Sequence, residues 1–203
     1  MKIPEAFSTK FAEVKDYKDA EARFRHALAV FPEGERADIL KALDFARLKH
    51  EGQVRDEGTP YLSHCTSAAL NAIDIDCNYE EIMAMLLHDV LEDTDTNEKE
   101  LEAKFGSQVA FMVAGLTKQR GGKKMPKDEY YDKLKADGQL AKLKACDRLS
   151  NIFSLYFCPD PAKQKRYLRD TREEIIPIVE IHHPELAAKL KAAIDFIQSK
   201  IES

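Results

Sequence analysis

The sequence contains no apolar run that approaches 18 residues, and its first residues, MKIPEAFSTKFAEVKD, lack the apolar core of a secretory signal. The chain has four cysteines, and they lie far apart: Cys65, Cys77, Cys146 and Cys158. No two of them form a CxxC pair. These absences exclude a membrane-spanning helix and give no sign of a disulfide framework. They predict a reduced, soluble, cytoplasmic protein without a membrane partner.

Positive charge is not in excess either. The formal net charge is −5, whereas a protein that binds the phosphate backbone of nucleic acid usually carries a clear positive excess. We therefore expect no nucleic-acid partner. With 203 residues and 44% hydrophobic content, the chain is long enough for one buried core and short for two, so a single domain over residues 1–203 is predicted. No feature of the sequence defines an oligomeric state.

No long segment alternates polar and apolar residues with a period of two, and no internal repeat is present. Apolar residues recur every three or four positions instead, which is typical of helices. The predicted fold class is all-α, with a core at about 35–157 and C-terminal helices over 163–201. The turn-rich stretch 53–61 is expected to form a loop or one small β-hairpin. The segment from Phe7 to about Val30 is expected to form one amphipathic helix or two short ones.

The stretch LLHDVLEDT, residues 86–94, places four polar groups where an apolar helix ends. Asn78 and Glu81 are spaced to cap the start of this helix in a capping box. An adjacent histidine and aspartate, His88 and Asp89, can bind one divalent cation such as Mn, Fe, Zn or Mg. The alternative interpretation is a helix C-terminal turn that holds a hydrogen-bonded histidine.

A second polar intrusion lies in the helix predicted over 140–156, where Asp147, Asn151 and Ser154 recur at i, i+4 and i+7. Such a stripe can simply face water. The neighbouring small and apolar residues favour a helix that is buried on more than one side, and a buried aspartate needs a partner such as a cation. His64, in the first turn of an earlier helix, completes a set of two histidines and two aspartates with His88, Asp89 and Asp147.

The run KQRGGKKMPK, residues 118–127, is the most basic part of the chain and is rich in glycine. One interpretation is an ordinary mobile, solvated loop. The other is a lid whose cations contact phosphate groups. The sequence favours neither.

Three stretches together resemble an HD-superfamily metal phosphohydrolase, specifically the (p)ppGpp pyrophosphohydrolase domain of RelA/SpoT homologues in its small, hydrolase-only form. They are HEGQVRDEGTPYLSH, AMLLHDVLEDTDT followed by FGSQVAFMVAGLTK, and LAKLKACDRLSNI. Their order and separation match that family from about residue 35 to 157, a little over half of the chain. The resemblance implies an HD-domain helical bundle and a small nucleotide as substrate.

The resemblance also implies roles for individual residues. It implies a metal site that favours Mn²⁺ and whose ligands are His64, His88, Asp89 and Asp147. It implies a carboxylate pair that holds or activates the attacking water, Glu92 and Asp93. It implies a nucleotide pocket lined by Arg55, Tyr61, Asn151 and Ser154. The expected reaction removes the 3′-pyrophosphate, which gives GDP or GTP and pyrophosphate (PPi), without a covalent enzyme intermediate.

The chain departs from the family pattern at three positions. Asp56 stands where the family usually has a basic residue, Cys65 where it has proline, and Ser150 where it has histidine. An acidic Asp56 beside a guanine pocket leaves open an HD phosphohydrolase of another nucleotide, such as ppApp or the 2′-phosphate of NADPH. A non-catalytic nucleotide-binding regulator is a third hypothesis, and the intact Glu92–Asp93 pair argues against it.

Overall fold

The computed structural model describes residues 20–202, and the described chain is almost entirely helical. The first seven helices, α1 to α7, are Ala20–Ala27, Glu33–Lys49, Leu62–Asp74, Tyr79–Leu87, Val90–Asp93, Glu98–Phe105 and Ser107–Leu116. The remaining five, α8 to α12, are Lys127–Ala136, Gly138–Ser154, Pro161–Asp170, Ile176–His182 and Pro184–Ile201. The predicted all-α class is therefore confirmed. Most of the helix expected from Phe7 lies outside the described residues, which contain only its last part as α1 and a 3₁₀ turn, Leu28–Val30.

A two-stranded antiparallel sheet interrupts the helices in the basic run, not in the stretch 53–61. Strand β1, Gln119–Arg120, pairs with β2, Lys123–Lys124. Gly121 and Gly122 form the two-residue turn with φ of 51° and 78°, a conformation that glycine adopts without strain. The stretch 53–61 is a loop with one isolated bridge, Val54 to Pro60. The basic run thus has a defined hairpin where a mobile loop was one expectation.

Helices α3, α4 and α9 pack against one another at the centre of the fold. Every residue of α3 from Leu62 to Ile73 is buried, and α9 is buried on several sides, as predicted from its neighbouring small residues. A helix that is buried all round lies inside the core and not on its surface. Polar side chains on α3 and α9 therefore face other protein groups, and each needs a partner.

The local sequence explains where α4 begins, and the helix ends at the candidate site. The predicted capping box is present, because the Glu81 backbone N–H donates to Asn78 Oδ1 at 2.9 Å and the Asn78 N–H donates to Glu81 Oε2 at 2.9 Å. The helix then ends at Leu87, and a new short helix, α5, begins at Val90. The two residues in the break, His88 and Asp89, are thereby placed next to α3 and α9.

We expect Leu70→Ala to lower the free energy of unfolding by about 2–5 kcal/mol, since it removes a core side chain and leaves a cavity. Leu70 is 0% exposed in the middle of α3. The matched control is Leu48→Ala, because Leu48 is 66% exposed and surface changes usually stay within about 0.5 kcal/mol. Urea unfolding of both variants measures the difference, and equal losses would contradict this description of the core.

Between residues 20 and 202, no helix combines the length and the apolar character that crossing a bilayer requires.

Candidate active site

Four predicted metal-ligating side chains, contributed by α3, α9 and the α4–α5 break, meet at one point. His64 Nε2 and His88 Nε2 lie 3.1 Å apart. Asp89 Oδ2 is 3.5 Å from His64 Nε2 and 3.1 Å from His88 Nε2. Asp147 Oδ1 is 3.3 Å from His64 Nε2 and 3.6 Å from His88 Nε2. Residues 83 positions apart in the sequence, from His64 to Asp147, therefore share one cluster, in which Asp89 is half-buried and the other three are buried.

The hydrogen bonds behind the two imidazole rings define which nitrogen faces the cluster. His88 Nδ1 lies 2.8 Å from the Met85 carbonyl oxygen, which can only accept, so Nδ1 carries the proton. His64 Nδ1 lies 2.9 Å from Ser150 Oγ, which in turn lies 3.4 Å from the His64 carbonyl oxygen and donates to it. With Nδ1 protonated, each Nε2 presents a lone pair to the cluster, as metal ligation requires.

The charges in the cluster are strongly coupled. Burial raises the pKa of Asp89, but His88 and His64 outweigh it and hold that pKa well below its usual range. Burial also raises the pKa of Asp147, while Lys144, His64 and His88 lower it well below the usual range. Burial lowers the pKa of His88, yet Asp89 and Asp147 together raise it to about 10. Two ionised carboxylates are thus held in the interior, which is costly unless positive charge is close by.

The donor set fits a divalent cation. His64, His88 and Asp89 offer ligand atoms that all lie within 4.8 Å of one another, and Asp147 adds a fourth at the distances above. Imidazole nitrogens with carboxylate oxygens suit Mn, Fe or Zn, whereas soft thiolate ligands are absent from this set. Two imidazole Nε2 atoms that each carry a lone pair and face each other at 3.1 Å need a cation or a proton between them.

The predicted catalytic pair lies beside this cluster on α5, and both side chains are exposed. Tyr61 Oη lies 2.7 Å from Asp89 Oδ2 and 3.0 Å from Asp93 Oδ2, so one phenol joins the predicted ligand Asp89 to the pair. Burial raises the pKa of Asp93, and repulsion from Asp89 and Glu92 raises it further. Glu92 Oε2 accepts a hydrogen bond of 3.0 Å from the Lys118 backbone N–H, which holds the start of the basic run against the site.

The four residues predicted to bind the nucleotide line one cavity of about 250 Å³: Arg55, Tyr61, Asn151 and Ser154. The guanidinium of Arg55 donates to Asn151 Oδ1 at 2.8 Å and to Ser154 Oγ at 3.0 Å. Asn151 Nδ2 in turn donates to Asp147 Oδ1 at 2.6 Å. Asn151 thus connects the cavity to the metal-ligand cluster, in addition to any contact it makes with a ribose or base.

Asp56, the departure that bears on base recognition, lies at the exposed rim of the same cavity. Its carboxylate is ion-paired with Lys163 at the start of α10. The Lys163 hydrogen bond and charge lower the pKa of Asp56 against a smaller effect of burial. Because Lys163 neutralises it, Asp56 does not present an isolated negative charge to a bound nucleotide.

Sequence reasoning missed three residues that contact the site or are adjacent in sequence to one of its members. Lys144 is buried and its Nζ lies 2.5 Å from Asp147 Oδ2. Arg148, also buried, stacks on Tyr167 at 4.5 Å from guanidinium carbon to ring centroid. Ser150 supports His64, as described above. A signal was present, since two cations in a helix that is predicted to be buried require anionic or aromatic partners.

We expect Ser150→Ala to weaken divalent-metal binding by about 10–100-fold, because the groups that orient a ligating histidine typically contribute that much to affinity. Ser150 Oγ accepts from His64 Nδ1 and so keeps the lone pair on Nε2. Isothermal titration with Mn²⁺ measures the affinity, and Ser150→Thr, which keeps the hydroxyl, is the control. Unchanged affinity in Ser150→Ala would show that His64 keeps its tautomer without this hydrogen bond.

Comparison with known proteins agrees with this geometry. Residues 42–173 match the HD domain family. The chain is 35% identical over 175 residues to the guanosine-3′,5′-bis(diphosphate) 3′-pyrophosphohydrolase of Aquifex aeolicus, a match that covers 84% of this chain and 24% of that protein. It is 33% identical over 163 residues to the bifunctional (p)ppGpp synthase/hydrolase SpoT of Escherichia coli strain K12, covering 75% of this chain and 23% of that one.

The fold is also similar to a solved structure described as a metazoan orthologue of SpoT that hydrolyzes ppGpp and plays a role in starvation responses. The TM-score is 0.68 with 23% sequence identity, and the match covers 83% of this chain and 98% of the other. The chain belongs to the HD domain family, whose match extends over well more than half of its length. It spans about a quarter of the length of the curated relatives above.

Proposed function

We propose that the chain hydrolyses the 3′-pyrophosphate of (p)ppGpp and releases GDP or GTP with pyrophosphate. The observation that carries the proposal is the arrangement of the two-His, two-Asp cluster, the exposed Glu92–Asp93 pair and the adjacent cavity around one phenol, Tyr61. Of the curated relatives named above, one is named a guanosine-3′,5′-bis(diphosphate) 3′-pyrophosphohydrolase and the other a bifunctional (p)ppGpp synthase/hydrolase. Both the site and the similarity therefore favour the same reaction.

We propose Mn²⁺ as the cation, held by His64, His88, Asp89 and Asp147. When bound, such a cation supplies Lewis acidity, which offsets phosphoryl charge and makes water a stronger acid. The set contains only nitrogen and oxygen donors, which Mn²⁺ accepts. Hydrogen bonds from Nδ1 to the Met85 carbonyl and to Ser150 orient both histidines so that Nε2 faces the cluster, where a bound cation would displace the Nε2 proton of His88, whose pKa is raised to about 10.

The chain's own residues would position and deprotonate the attacking water. Asp93 and Glu92 are carboxylates beside the cluster that can accept a proton. The raised pKa of Asp93 makes it a stronger base than an ordinary aspartate. The oxygen of water forms a bond to the phosphorus attached at O3′, and the bond between that phosphorus and O3′ breaks. The water proton passes to the carboxylate, and O3′ takes up a proton as the nucleotide leaves.

Arg55, Asn151 and Ser154 would orient the nucleoside part. Their mutual hydrogen bonds pre-form the cavity wall before substrate binds, which reduces the ordering cost on binding. Asn151 also donates to Asp147, so one side-chain amide links the cavity wall to the proposed metal ligands and fixes their relative position. Asp56 stands at the rim where the family usually has a basic residue, and this departure is the ground for a second candidate, a hydrolase of another nucleotide. The ion pair with Lys163 weakens that ground, because it offsets the Asp56 charge.

The deciding experiment measures pyrophosphate release from ppGpp and from ppApp, and phosphate release from NADPH, by the purified, Mn²⁺-loaded protein. Stoichiometric GDP and PPi from ppGpp, abolished by a chelator and restored by Mn²⁺, is the expected result. Turnover of ppApp or NADPH without turnover of ppGpp would transfer the function to the second candidate. No turnover of any of the three would contradict the assignment of this site as a nucleotide hydrolase.

We also propose that the chain is one domain with a small nucleotide as its partner, located in the cytoplasm. One cluster of buried apolar side chains extends from Phe24 to Ile197, which supports a single domain. All four cysteines are buried and unpaired, which favours a reducing compartment.

A further inference from the structure

The segment that follows α2 contacts two residues of the candidate active site, Asp93 and Tyr61. Gln53 Nε2 donates to the Asp93 backbone carbonyl oxygen at 3.0 Å, across 40 positions of the sequence. The ring of His50 stacks on the ring of Tyr61, with centroids 4.8 Å apart and an angle of 25° between the ring planes. His50 Nδ1 also lies 2.8 Å from Gln53 Oε1. His50 and Gln53 are thus one hydrogen-bonded unit that contacts the site at two points.

Backbone hydrogen bonds hold this unit in place. The Gln53 N–H donates to the His50 carbonyl oxygen at 3.1 Å, and the Tyr61 N–H donates to the Gln53 carbonyl oxygen at 2.9 Å. The turn that follows α5 is joined to the end of α2 as well, because Lys49 Nζ pairs with Asp95 Oδ1 at 2.8 Å. The position of α5 relative to the end of α2 therefore depends on more than one contact.

The hydrogen bonds also define the orientation of the Gln53 amide and the tautomer of His50. A carbonyl oxygen can only accept, so the amide nitrogen of Gln53 faces Asp93 and the amide oxygen faces His50. His50 Nδ1 then carries the proton and donates it. Burial lowers the pKa of His50, against the opposing effect of the Gln53 hydrogen bond. The ring is therefore neutral near pH 7, and its Nε2 is an acceptor.

The stability of the fold does not explain an imidazole at position 50. His50 is 3% exposed, and no described residue donates to its buried Nε2. A buried acceptor without a partner lowers stability. A phenylalanine ring would lack this acceptor and could still stack on Tyr61. What the imidazole adds is the hydrogen bond to Gln53, and through Gln53 a connection to Asp93.

We propose that His50 and Gln53 are positioning residues for the hydrolysis, with Gln53 fixing the backbone of Asp93 and His50 fixing the Gln53 amide and the Tyr61 ring. This inference rests on the proposed function, in which Asp93 helps to position and deprotonate the attacking water. Asp93 ends α5, which has only four residues, and so short a helix is not rigid by itself. Because Tyr61 Oη lies 3.0 Å from Asp93 Oδ2, the backbone and the side chain of Asp93 are both held from the segment 50–61.

The first test is Gln53→Met, which keeps the length of the side chain and removes its hydrogen-bonding groups. We expect kcat for PPi release to fall about 10–100-fold, since a displacement of about 1 Å near the reacting groups can have an effect of that size. KM and Mn²⁺ affinity should stay close to those of the unmodified chain, because Gln53 neither lines the nucleotide cavity nor belongs to the proposed ligands. The matched control is Gln108→Met, since Gln108 is exposed on α7 and also makes one hydrogen bond, to Gln139 Oε1 at 3.1 Å.

The second test is His50→Phe, which keeps an aromatic ring against Tyr61 and removes both the donor to Gln53 and the unpartnered Nε2. We expect kcat to fall about tenfold while the melting temperature is unchanged or higher. A residue that serves only the stability of the fold would give the opposite pattern, a lower melting temperature with kcat retained. The control is His26→Phe, because His26 is an exposed histidine of α1.

Three results would overturn the inference. They are an unchanged kcat in Gln53→Met, an unchanged kcat in His50→Phe, or a fall in kcat that is matched by lost Mn²⁺ affinity and a lower melting temperature. The last would indicate a general effect on the fold. Circular dichroism establishes that each variant is folded. If Gln53→Met is not, Gln53→Glu replaces it, because glutamate keeps the acceptor for His50 and loses the donor to Asp93.

Hydrogen exchange of the backbone amides of residues 89–94 needs no turnover and separates this inference from the proposed function. In Gln53→Met these amides should exchange about fivefold faster, as for the loss of one hydrogen bond, and in Gln108→Met they should not. If the unmodified chain hydrolyses no nucleotide, the proposed function is refuted, and the exchange rates alone decide whether Gln53 holds α5 in place. If PPi is released and both exchange and kcat are unchanged in Gln53→Met, the positioning alone is refuted.

Discussion

Asp147→Asn is expected to abolish both metal binding and pyrophosphate release, with a loss of activity of about 10³-fold or more. One Asp147 oxygen lies 3.3 Å from His64 Nε2 and accepts from Asn151 at 2.6 Å, and the other lies 2.5 Å from Lys144 Nζ. An amide supplies neither the negative charge nor two acceptor oxygens. The Lewis-acid contribution of a bound metal is worth several kcal/mol, and each 1.36 kcal/mol is a factor of ten in rate.

The same substitution should also destabilise the fold, because it leaves the buried ammonium of Lys144 without its counter-charge. Breaking a buried ion pair on one side typically costs about 3–5 kcal/mol. Asp89→Asn separates the two effects. Asp89 has no lysine partner comparable to Lys144, so its loss should remove the metal with a smaller effect on unfolding.

Metal content, PPi release and thermal unfolding of the two variants together test this account. The expected pattern is loss of metal in both and a clearly lower melting temperature in Asp147→Asn alone. An Asp147→Asn protein that still binds Mn²⁺ at full stoichiometry would show that Asp147 is not a ligand. Equal melting temperatures would show that Lys144 finds another counter-charge.

The parts of the site that sequence reasoning reached are those with a local pattern. The Asn78–Glu81 capping box spans four residues, and the interruption of an apolar helix by His88 and Asp89 is visible within one turn. The burial of α9 follows from the small residues around Asp147. In each case the physical cause lies within a few positions of the residue concerned.

The parts that it did not reach depend on pairings across the fold. Ser150 supports His64 over 86 positions, and Arg55 donates to Asn151 over 96. No periodicity encodes which helix faces meet, so partners of this kind appear only in the packed structure. The hairpin at Gly121–Gly122, by contrast, has a local signal, since two glycines between short basic segments indicate a tight turn. The basic composition led to the prediction of a mobile loop or a lid in its place.

Glu92→Gln is expected to lower kcat by about 10²–10⁴-fold while metal binding stays unchanged. Glu92 is exposed on α5 and is not one of the four proposed ligands, so its charge is expected to act on the attacking water and not to bind the cation. General-base catalysis contributes about this much to a rate. Glutamine keeps an oxygen that can accept the Lys118 N–H, so the start of the basic run should stay in place.

The matched control for Glu92→Gln is Glu102→Gln, which removes one exposed carboxylate from α6 and should leave kcat as it is. Steady-state PPi release gives kcat and KM for each, and calorimetry gives Mn²⁺ affinity. If Glu92→Gln also lost the metal, Glu92 would be a ligand. If it kept full kcat, the proton acceptor would be Asp93 alone, whose pKa is already raised by burial and by its two acidic neighbours, Asp89 and Glu92. In that case Asp93→Asn should show the full loss, because no second carboxylate contacts Tyr61 from α5.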